Sequence, residues 1–333
     1  MQSNPDNTKI KNKTILITGG AGFIGSNLVE RFINQSNKII CLDNLATGKI
    51  KNIEPFLDNK NFVFINSDIR DLNVCQNACK DVDLVLHQAA LGSVPRSIND
   101  PITTNSVNVD GFLNILIAAR DQKVKRFVYA ASSPTYGDST ELPKREDKIG
   151  SPLSPYAVTK LVNELYAKVF ADLYEMEVIG LRYFNVFGKN QDPDGQYAAV
   201  FPKFIKQLIK LEAPVIHGDG NQTRDFTYIE NVIQANELAA TTQNKDALNN
   251  VFNIAYGESN KLGELTEELI NALSQFDEKI RDIKPKYGPS RLGDIKDSLA
   301  SIEKAKSLLG YNPRYNVRQG IQMAVKWYYE NLK

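Results

Sequence analysis

The chain has 333 residues, of which 42% are hydrophobic and 24% are charged, and its formal net charge is +1. This balance is ordinary for a globular protein with a substantial core, and the length suggests about two domains. A net charge close to zero gives no electrostatic footprint for nucleic acid or for an anionic membrane, so neither is expected as a partner.

The N-terminal stretch MQSNPDNTKIKNK is polar and has no apolar signal core, so we expect a flexible head over residues 1–11. No apolar run approaches the roughly 18 residues that a membrane span needs. The cysteines are Cys41, Cys75 and Cys79, and no Cys or His partners lie at zinc-ligand spacing. We therefore expect reduced thiols, no metal site and a cytoplasmic protein.

The first half of the chain alternates short β-branched runs with longer amphipathic stretches. The predicted strands are TILIT (14–18), KIICL (38–42), FVFIN (62–66), DLVLH (83–87), RFVYAA (126–131) and EVIGLRYF (177–184). The predicted helices cover residues 22–34, 71–80, 103–121 and 154–175. This alternation predicts right-handed crossovers and an α/β, Rossmann-type, doubly wound parallel sheet over residues 12–185.

The regular alternation ends after residue 185. VFPKFIKQLIKL predicts a helix, PVIHG, DFTYI and VFNIA predict short strands, and further helices are expected near 230–243, 262–275 and 315–331. We expect residues 186–333 to form mainly a smaller mixed α/β substrate-binding domain at the carboxyl edge of the sheet. Individual strands and helices of this part could return to the first domain.

A glycine-rich turn joins the first strand to the first helix. TGGAGFIG places Gly19, Gly20, Gly22 and Gly25 where a tight turn and close backbone approach to a pyrophosphate are needed. Asp43 ends the second strand, 18 residues after Gly25, where a carboxylate can bind ribose hydroxyls. An acid there repels a 2′-phosphate, so the pattern predicts NAD rather than NADP.

Asp68 follows the third strand in SDIRD. It is either a contact for adenine or the N-cap of the following helix.

A tyrosine and a lysine lie one helical turn apart in SPYAVTKLVNEL. Tyr156 and Lys160 therefore share one face of the predicted helix. The ordinary pKa of tyrosine is about 10, and a neighbouring ammonium, helped by a positive nicotinamide, favours the phenolate. The pair, with Ser132 in the upstream loop ASSPTYG, predicts a general base for proton abstraction.

In combination these motifs resemble the extended short-chain dehydrogenase/reductase family, and within it the nucleotide-sugar 4-epimerases. The resemblance covers essentially the whole chain and is carried by TGGAGFIG, DNLATG, HQAA, GSVPRSINDP, ASSPTYGD, SPYAVTK, LRYFNVFG, GDGNQTRDFTYIENV and SRLGD. The branch that acts on UDP-N-acetylglucosamine and UDP-N-acetylgalactosamine is the most similar. The expected substrate is thus a UDP-N-acetylhexosamine.

The resemblance implies a role for each member of the Ser–Tyr–Lys group. Tyr156 takes the proton of the sugar C4 hydroxyl while NAD accepts the C4 hydride. Lys160 binds the nicotinamide ribose and lowers the tyrosine pKa, and Ser132 bridges the sugar O4 and the tyrosine. The 4-keto sugar then turns over and takes the hydride back on its other face.

The resemblance also implies the residues that surround the two ligands. The NAD site comprises Gly19, Gly22, Phe23, Ile24, Gly25, Asp43, Asn44, Gly48, Asp68, Ile69, Gln88, Ala89, Ala90, Tyr156, Lys160 and Tyr183. The substrate site comprises Ser93, Arg96, Ser132, Ser133, Asn185, Ala199, Val200, Arg224, Arg291, Asp294 and Ser298.

Within the substrate site, Asn185, Arg224 and Arg291 match the diphosphate ligands of the family. Arginine gives bidentate, permanently charged contacts to phosphate, although a surface ion pair is the commoner fate of any one arginine. Arg96 could equally brace its own loop. Ser298 stands where a tyrosine would exclude an N-acetyl group, so this small residue favours N-acetylated sugars without excluding UDP-glucose.

Other reactions of the family begin with the same oxidation. The dTDP-sugar 4,6-dehydratases carry Asp-Glu at the positions of Ser133 and Pro134, and UDP-glucuronate decarboxylases carry Glu at the position of Pro134. This chain has no carboxylate at either position. A UDP-N-acetylglucosaminuronate epimerase remains open, as does a non-catalytic NAD-binding protein, although the latter would be expected to lose Ser132, Tyr156 or Lys160. Pro134 replaces a usual serine, and we expect it to change sugar preference rather than the chemistry.

The apolar faces of the predicted helices 103–121 and 154–175 indicate a homodimer built on a four-helix bundle, as is usual in the family.

Overall fold

The computed structural model describes residues 9–194, 199–289 and 297–333. The strands are β1 Thr14–Thr18, β2 Lys38–Asp43, β3 Phe62–Asn66, β4 Leu84–His87, β5 Arg126–Ser132, β6 Glu177–Tyr183, β7 Val186–Phe187, β8 Val215–His217, β9 Thr223–Arg224, β10 Thr227–Tyr228, β11 Asn250–Ile254, β12 Asn260–Lys261 and β13 Lys286–Gly288. The helices are α1 Phe23–Ile33, α2 Leu72–Ala78, α3 Val94–Asn99, α4 Pro101–Asn105, α5 Gly111–Asp121, α6 Pro155–Tyr174, α7 Val200–Ile209, α8 Ile229–Thr241, α9 Leu262–Leu273, α10 Glu303–Leu309 and α11 Val317–Leu332.

Seven strands form one parallel sheet in the order β11-β6-β5-β4-β1-β2-β3. Successive residues of a strand point to opposite faces of the sheet. Ile15 and Ile17 accordingly belong to one hydrophobic cluster, whereas Leu16 belongs to a second cluster. Both faces are buried under helices, which explains the nearly continuous apolar runs. The predicted Rossmann-type α/β fold is confirmed.

The VFNIA run belongs to this main sheet as β11, beside β6. The chain therefore returns to the first domain after residue 185. The other short strands of the C-terminal part form two-residue or three-residue pairs, β7 with β10, β8 with β13 and β9 with β12. The helices α7, α9 and α11 pack against one another in this part.

The predicted helix over residues 103–121 is interrupted. Between α4 and α5, residues Ser106–Asp110 form a π-helical turn. The widened turn accommodates Asn108, a buried residue whose side chain bonds to the backbone of Leu91 and to Thr159. Such π-turns often accompany functional sites.

At the N-terminus, Ile10 is buried, and its carbonyl accepts a hydrogen bond from Asn37. Residues 1–8 of the predicted flexible head lie outside the described residues, whereas its C-terminal end at Ile10 packs on the core. Across residues 9–194, 199–289 and 297–333, no helix is both long and apolar enough to cross a membrane.

Candidate active site

The glycine turn between β1 and α1 is sterically closed to side chains. Gly19 has φ +68°, and a Cβ there would lie 2.7 Å from the Cα of Ala89. A Cβ on Gly25 would collide with the carbonyl oxygen of Gly19. Gly22 is the N-cap of α1 and supplies no capping side chain, so backbone amides and the positive end of the helix face this turn. These features fit the pyrophosphate of a dinucleotide.

Asp43 lies at the carboxyl end of β2, beside the glycine turn. Its carboxylate is buried and accepts hydrogen bonds from the amides of Ala21 (3.0 Å) and Leu45 (2.8 Å). Burial raises the pKa of Asp43, and these amides partly offset the rise. A Cβ on Gly48 would lie 2.9 Å from the carboxylate. The position and the acceptor chemistry fit a ribose.

Asp68 is not the N-cap of the following helix. That position belongs to Asp71, whose carboxylate accepts from the amides at the start of α2. Asp68 instead accepts from Asn44 Nδ2 at 2.7 Å and pairs with Arg70, which lowers the pKa of Asp68 to about 2. Asn44 and Asp68 thus meet at the carboxyl ends of β2 and β3, next to the buried Ile69.

The loop after β4 approaches the glycine turn from the other side. The amides of Gln88 and Ala89 donate to Thr18, and Ala90 follows in the same loop. The hydroxyl of Tyr183 donates to Gln88 Oε1 at 3.3 Å and accepts from Asn236 Nδ2 at 2.9 Å. Burial raises the pKa of Tyr183 to about 12, so it stays a neutral phenol.

The serine, tyrosine and lysine predicted to act together do lie together. Ser154 caps α6 by accepting from the Ala157 amide at 3.1 Å, so the helix begins with Tyr156 in its first turn. Tyr156 Oη donates to Ser132 Oγ at 3.2 Å, at the end of β5. Lys160 Nζ is buried and donates to the carbonyl of Ala130 at 2.9 Å.

The electrostatics of this group are dominated by burial. Burial raises the pKa of Tyr156, and the hydrogen bond with Ser132 counters the rise. Burial also lowers the pKa of Lys160 to about 8, while Glu164 acts in the opposite direction. The predicted lowering of the Tyr156 pKa is therefore not seen in the protein alone, because desolvation disfavours the phenolate.

Two buried polar residues beside the group were missed by the sequence analysis. Asn108 Nδ2 donates to the hydroxyl of Thr159, the residue before Lys160. His87 Nδ1 lies 2.9 Å from Thr18 Oγ1, and burial together with the charge of Lys160 lowers the His87 pKa to about 3, so it is neutral. A polar residue in the apolar run LVLH was the available signal for His87, whereas Asn108 lies in the polar stretch TNSVNVD, which gave no such signal.

Three of the predicted substrate residues lie at the starts of short helical segments. Ser93 caps α3 by accepting from the amide of Arg96 at 3.1 Å. Ser133 and Pro134 open a 3₁₀ turn directly after Ser132. No carboxylate is supplied by this turn.

The other substrate residues meet around Asp225. Asn185 (φ +35°) is exposed and donates to the Asp225 carbonyl at 3.0 Å. Arg224 directly precedes Asp225 in the chain. The carboxylate of Asp225 accepts a hydrogen bond from the amide of Ala300, which lies two residues after the half-buried Ser298. Ala199 and Val200 lie at the start of α7, whose Phe201 stacks on Phe226, the residue after Asp225, with 4.2 Å between the ring centroids. Arg291 and Asp294 lie outside the described residues.

A parallel sheet with a glycine turn, an acid after the second strand and a Ser–Tyr–Lys group defines a Rossmann-type, NAD-dependent enzyme. The model of the NAD dependent epimerase/dehydratase family matches residues 15–255. The chain belongs to this family, and its cofactor is NAD.

Three relatives show the range of substrates in the family. The UDP-N-acetylglucosamine 4-epimerase from Methanobrevibacter ruminantium M1, solved in complex with UDP-N-acetylmuramic acid, is 38% identical with a TM-score of 0.89, covering 97% of this chain and 100% of that chain. A UDP-glucose 4-epimerase from Thermotoga maritima, solved with UDP-glucose, is 33% identical with a TM-score of 0.87, covering 96% and 100%. A UDP-glucuronate 4-epimerase from Thermodesulfobacterium geofontis is 31% identical over 330 residues, covering 96% of this chain and 97% of its own.

Proposed function

We propose that this protein interconverts UDP-N-acetylglucosamine and UDP-N-acetylgalactosamine by inverting the configuration at C4 of the sugar. The observation that carries the proposal is the hydrogen bond between Tyr156 and Ser132, with Lys160 one helical turn further along α6. This arrangement can accept a proton from a sugar hydroxyl at the carboxyl end of β5, at the same edge of the sheet as the glycine turn, where NAD would bind. The relatives support nucleotide-sugar 4-epimerase chemistry.

Tyr156 takes the proton from the C4 hydroxyl, and Ser132 holds the same oxygen and passes the proton between sugar and phenol. NAD, held beside the glycine turn and Asp43, would supply reversible hydride acceptance at C4, and the protein's own groups handle the proton. Because burial raises the pKa of Tyr156, the phenolate needs positive charge nearby. Lys160 and the nicotinamide ring of the cofactor are the sources we propose.

The diphosphate of the substrate would be held by Asn185 and Arg224, with Arg291 as a third ligand. Asn185 is oriented by its bond to the Asp225 carbonyl. Arg224 Nη1 donates to the Thr223 carbonyl at 2.8 Å, which fixes part of the guanidinium in place. A guanidinium presents its N–H donors in a fixed fork that matches phosphate oxygens.

The preference for an N-acetylated sugar rests on Ser298. A serine leaves volume in the pocket that an aromatic ring would fill, so an acetamido group can enter. The turn at Ser133 and Pro134 carries no carboxylate, which disfavours elimination and decarboxylation after the first oxidation. The neighbour named a UDP-N-acetylglucosamine 4-epimerase supports the same substrate.

The deciding experiment incubates the purified protein and NAD separately with UDP-N-acetylglucosamine, UDP-glucose and UDP-N-acetylglucosaminuronate, and separates the epimers by chromatography. We expect the fastest conversion with UDP-N-acetylglucosamine. Faster conversion of UDP-glucose would contradict the argument from Ser298. Faster conversion of the uronate would indicate that Arg96 or Ser93 accommodates a C6 carboxylate.

We also propose that the protein is a homodimer through α6. Val158, Leu165, Val169 and Leu173 are between 47% and 68% exposed and recur on one side of this helix. A continuous apolar face of this kind is typical of a surface that is covered in the assembled protein.

A further inference from the structure

Asn253 is a fully buried asparagine near the end of β11, the edge strand that the chain adds to the sheet late in the sequence. Its backbone N–H, its side-chain NH₂ group and its side-chain oxygen all form hydrogen bonds. Its backbone N–H donates to Glu146 Oε1 at 2.8 Å. Its side chain bonds to Tyr136, Lys144 and Ser301, three residues that are far from it in sequence.

The orientation of the side-chain amide follows from its partners. Asn253 Nδ2 lies 2.9 Å from the Lys144 carbonyl and 3.0 Å from the Ser301 carbonyl. Carbonyl oxygens only accept, so the NH₂ group must face them. Oδ1 is then left for Tyr136 Oη at 2.6 Å, and the tyrosine hydroxyl is the donor. A reversed amide would place acceptors against acceptors, so the network allows one arrangement.

One arm of this network reaches the catalytic serine. Tyr136 ends the short 3₁₀ turn Ser133–Tyr136, which directly follows Ser132. Within the turn, Thr135 Oγ1 donates to the Ser132 carbonyl at 2.8 Å, and Pro134 restricts the backbone. Because the turn is short and internally bonded, fixing the Tyr136 hydroxyl also fixes the backbone of Ser132.

The other arm reaches the segment that carries Ser298. The Lys144 amide donates to the Leu299 carbonyl at 2.8 Å, and the Ser301 amide donates to the Lys144 carbonyl at 2.9 Å. This bridge holds residues 299–301 against the loop that joins the turn Ser133–Tyr136 to α6. Asn253 closes the bridge, since its NH₂ group binds the carbonyls on both sides of it.

We propose that Asn253 is a positioning residue that sets the distance between the catalytic serine turn and the wall of the sugar pocket at Ser298. This inference rests on the proposed function, because it assigns the two arms to proton transfer and to sugar binding. Proton transfer tolerates little displacement of the groups involved. A single rigid amide joined to both parts therefore keeps the C4 oxygen of a bound sugar within reach of Ser132 and Tyr156.

The two arms are tested separately. Tyr136→Phe removes only the hydroxyl and keeps the ring that packs on Arg182 (4.9 Å from the guanidinium carbon to the ring centroid). We expect kcat with UDP-N-acetylglucosamine to fall about tenfold, with KM little changed, because the serine turn is loosened. Asn253→Asp keeps the acceptor for Tyr136 but turns a carboxylate oxygen towards two carbonyls. For this variant we expect KM to rise about tenfold, since the pocket wall shifts.

Tyr328→Phe is the matched control, because Tyr328 is equally buried and donates to a backbone carbonyl, that of Gly188, at 2.9 Å. It should lower Tm as Tyr136→Phe does and leave kcat and KM unchanged. Wild-type kcat and KM in Tyr136→Phe would overturn the inference, even where Asn253→Asp does not fold. If the wild-type protein is inactive on all three UDP-sugars, the proposed function fails and this inference fails with it. If the wild type turns over a UDP-sugar and Tyr136→Phe has the same kcat and KM, only the inference fails.

Discussion

Tyr156 and Ser132 are 24 positions apart in the chain, and their hydroxyl oxygens lie 3.2 Å from each other at the end of β5. The contact exists because β5 ends at Ser132 while α6 begins at Pro155 and places Tyr156 in its first turn. A phenol and a hydroxyl at hydrogen-bonding distance form a path for one proton.

Removing either hydroxyl should abolish most of the activity. For Tyr156→Phe and Ser132→Ala we expect kcat to fall by about 10²- to 10⁴-fold, the usual contribution of a positioned proton-transfer group. NAD content should stay at the wild-type level in Ser132→Ala. Tyr174→Phe, at an exposed position on the same helix, serves as the control. Wild-type kcat in either active-site variant would contradict the assigned roles.

The buried ammonium of Lys160 should reduce stability below about pH 8. Burial lowers its pKa from 10.5 to about 8, so between these values the unfolded chain holds a proton that the folded chain does not, and stability rises with pH. At pH 7 the buried charge of Lys160 lowers the free energy of unfolding by on the order of 3 kcal/mol, since one pKa unit corresponds to about 1.4 kcal/mol. Lys160→Met should therefore lose activity while its Tm at pH 7, measured calorimetrically, is no lower than that of the wild type.

A clear decrease in the Tm of Lys160→Met at pH 7 would show that the bond from Lys160 to the Ala130 carbonyl outweighs desolvation of the charge. Lys168→Met, an exposed change on the same helix, controls for the loss of a surface charge.

Asp225 should give stability the opposite dependence on pH. Burial raises its pKa from 3.8 to about 7, although amides such as that of Ala300 bind the carboxylate. Between these values the folded chain holds the extra proton, so stability falls as pH rises. Asp225→Asn removes the titrating group, and its Tm should change less than the wild-type Tm between pH 5 and pH 8 in thermal unfolding. If the Tm of Asp225→Asn depends on pH as steeply as the wild-type Tm, this assignment is contradicted. The same holds if the half-buried control Asp297→Asn reduces the pH dependence of Tm equally.

Pro134 should influence sugar preference. It removes an N–H and a hydroxyl from the turn beside Ser132 and biases Ser133 towards extended geometry. For Pro134→Ser we expect the ratio of kcat/KM between UDP-N-acetylglucosamine and UDP-glucose to change while epimerisation persists. Identical kinetics on all three test sugars would eliminate a role for this residue.

The apolar face of α6 should determine the oligomeric state. Leu165 and Leu173 are 57% and 68% exposed on the same side of the helix. Leu165→Glu with Leu173→Glu should convert a dimer to a monomer in sedimentation experiments, because carboxylates are costly to bury in an apolar interface. Leu142→Glu, at a leucine that is 46% exposed in the loop before α6, should remain dimeric. A monomeric wild type at micromolar concentration would refute the dimer.

Local patterns in the amino-acid sequence were sufficient for the regular elements and for the chemistry they carry. The apolar runs of β1 to β6 and the turn at Gly19 follow from residue type and spacing, and the four-residue spacing of Tyr156 and Lys160 follows from helix geometry. The tertiary structure alone decided which distant segments meet. It placed β11 beside β6, gave Asn108 its π-helical turn and joined Tyr136 to Ser301 through Asn253. It also decided the sign of the pKa shift at Tyr156, because burial is set by contacts between segments that no local pattern records.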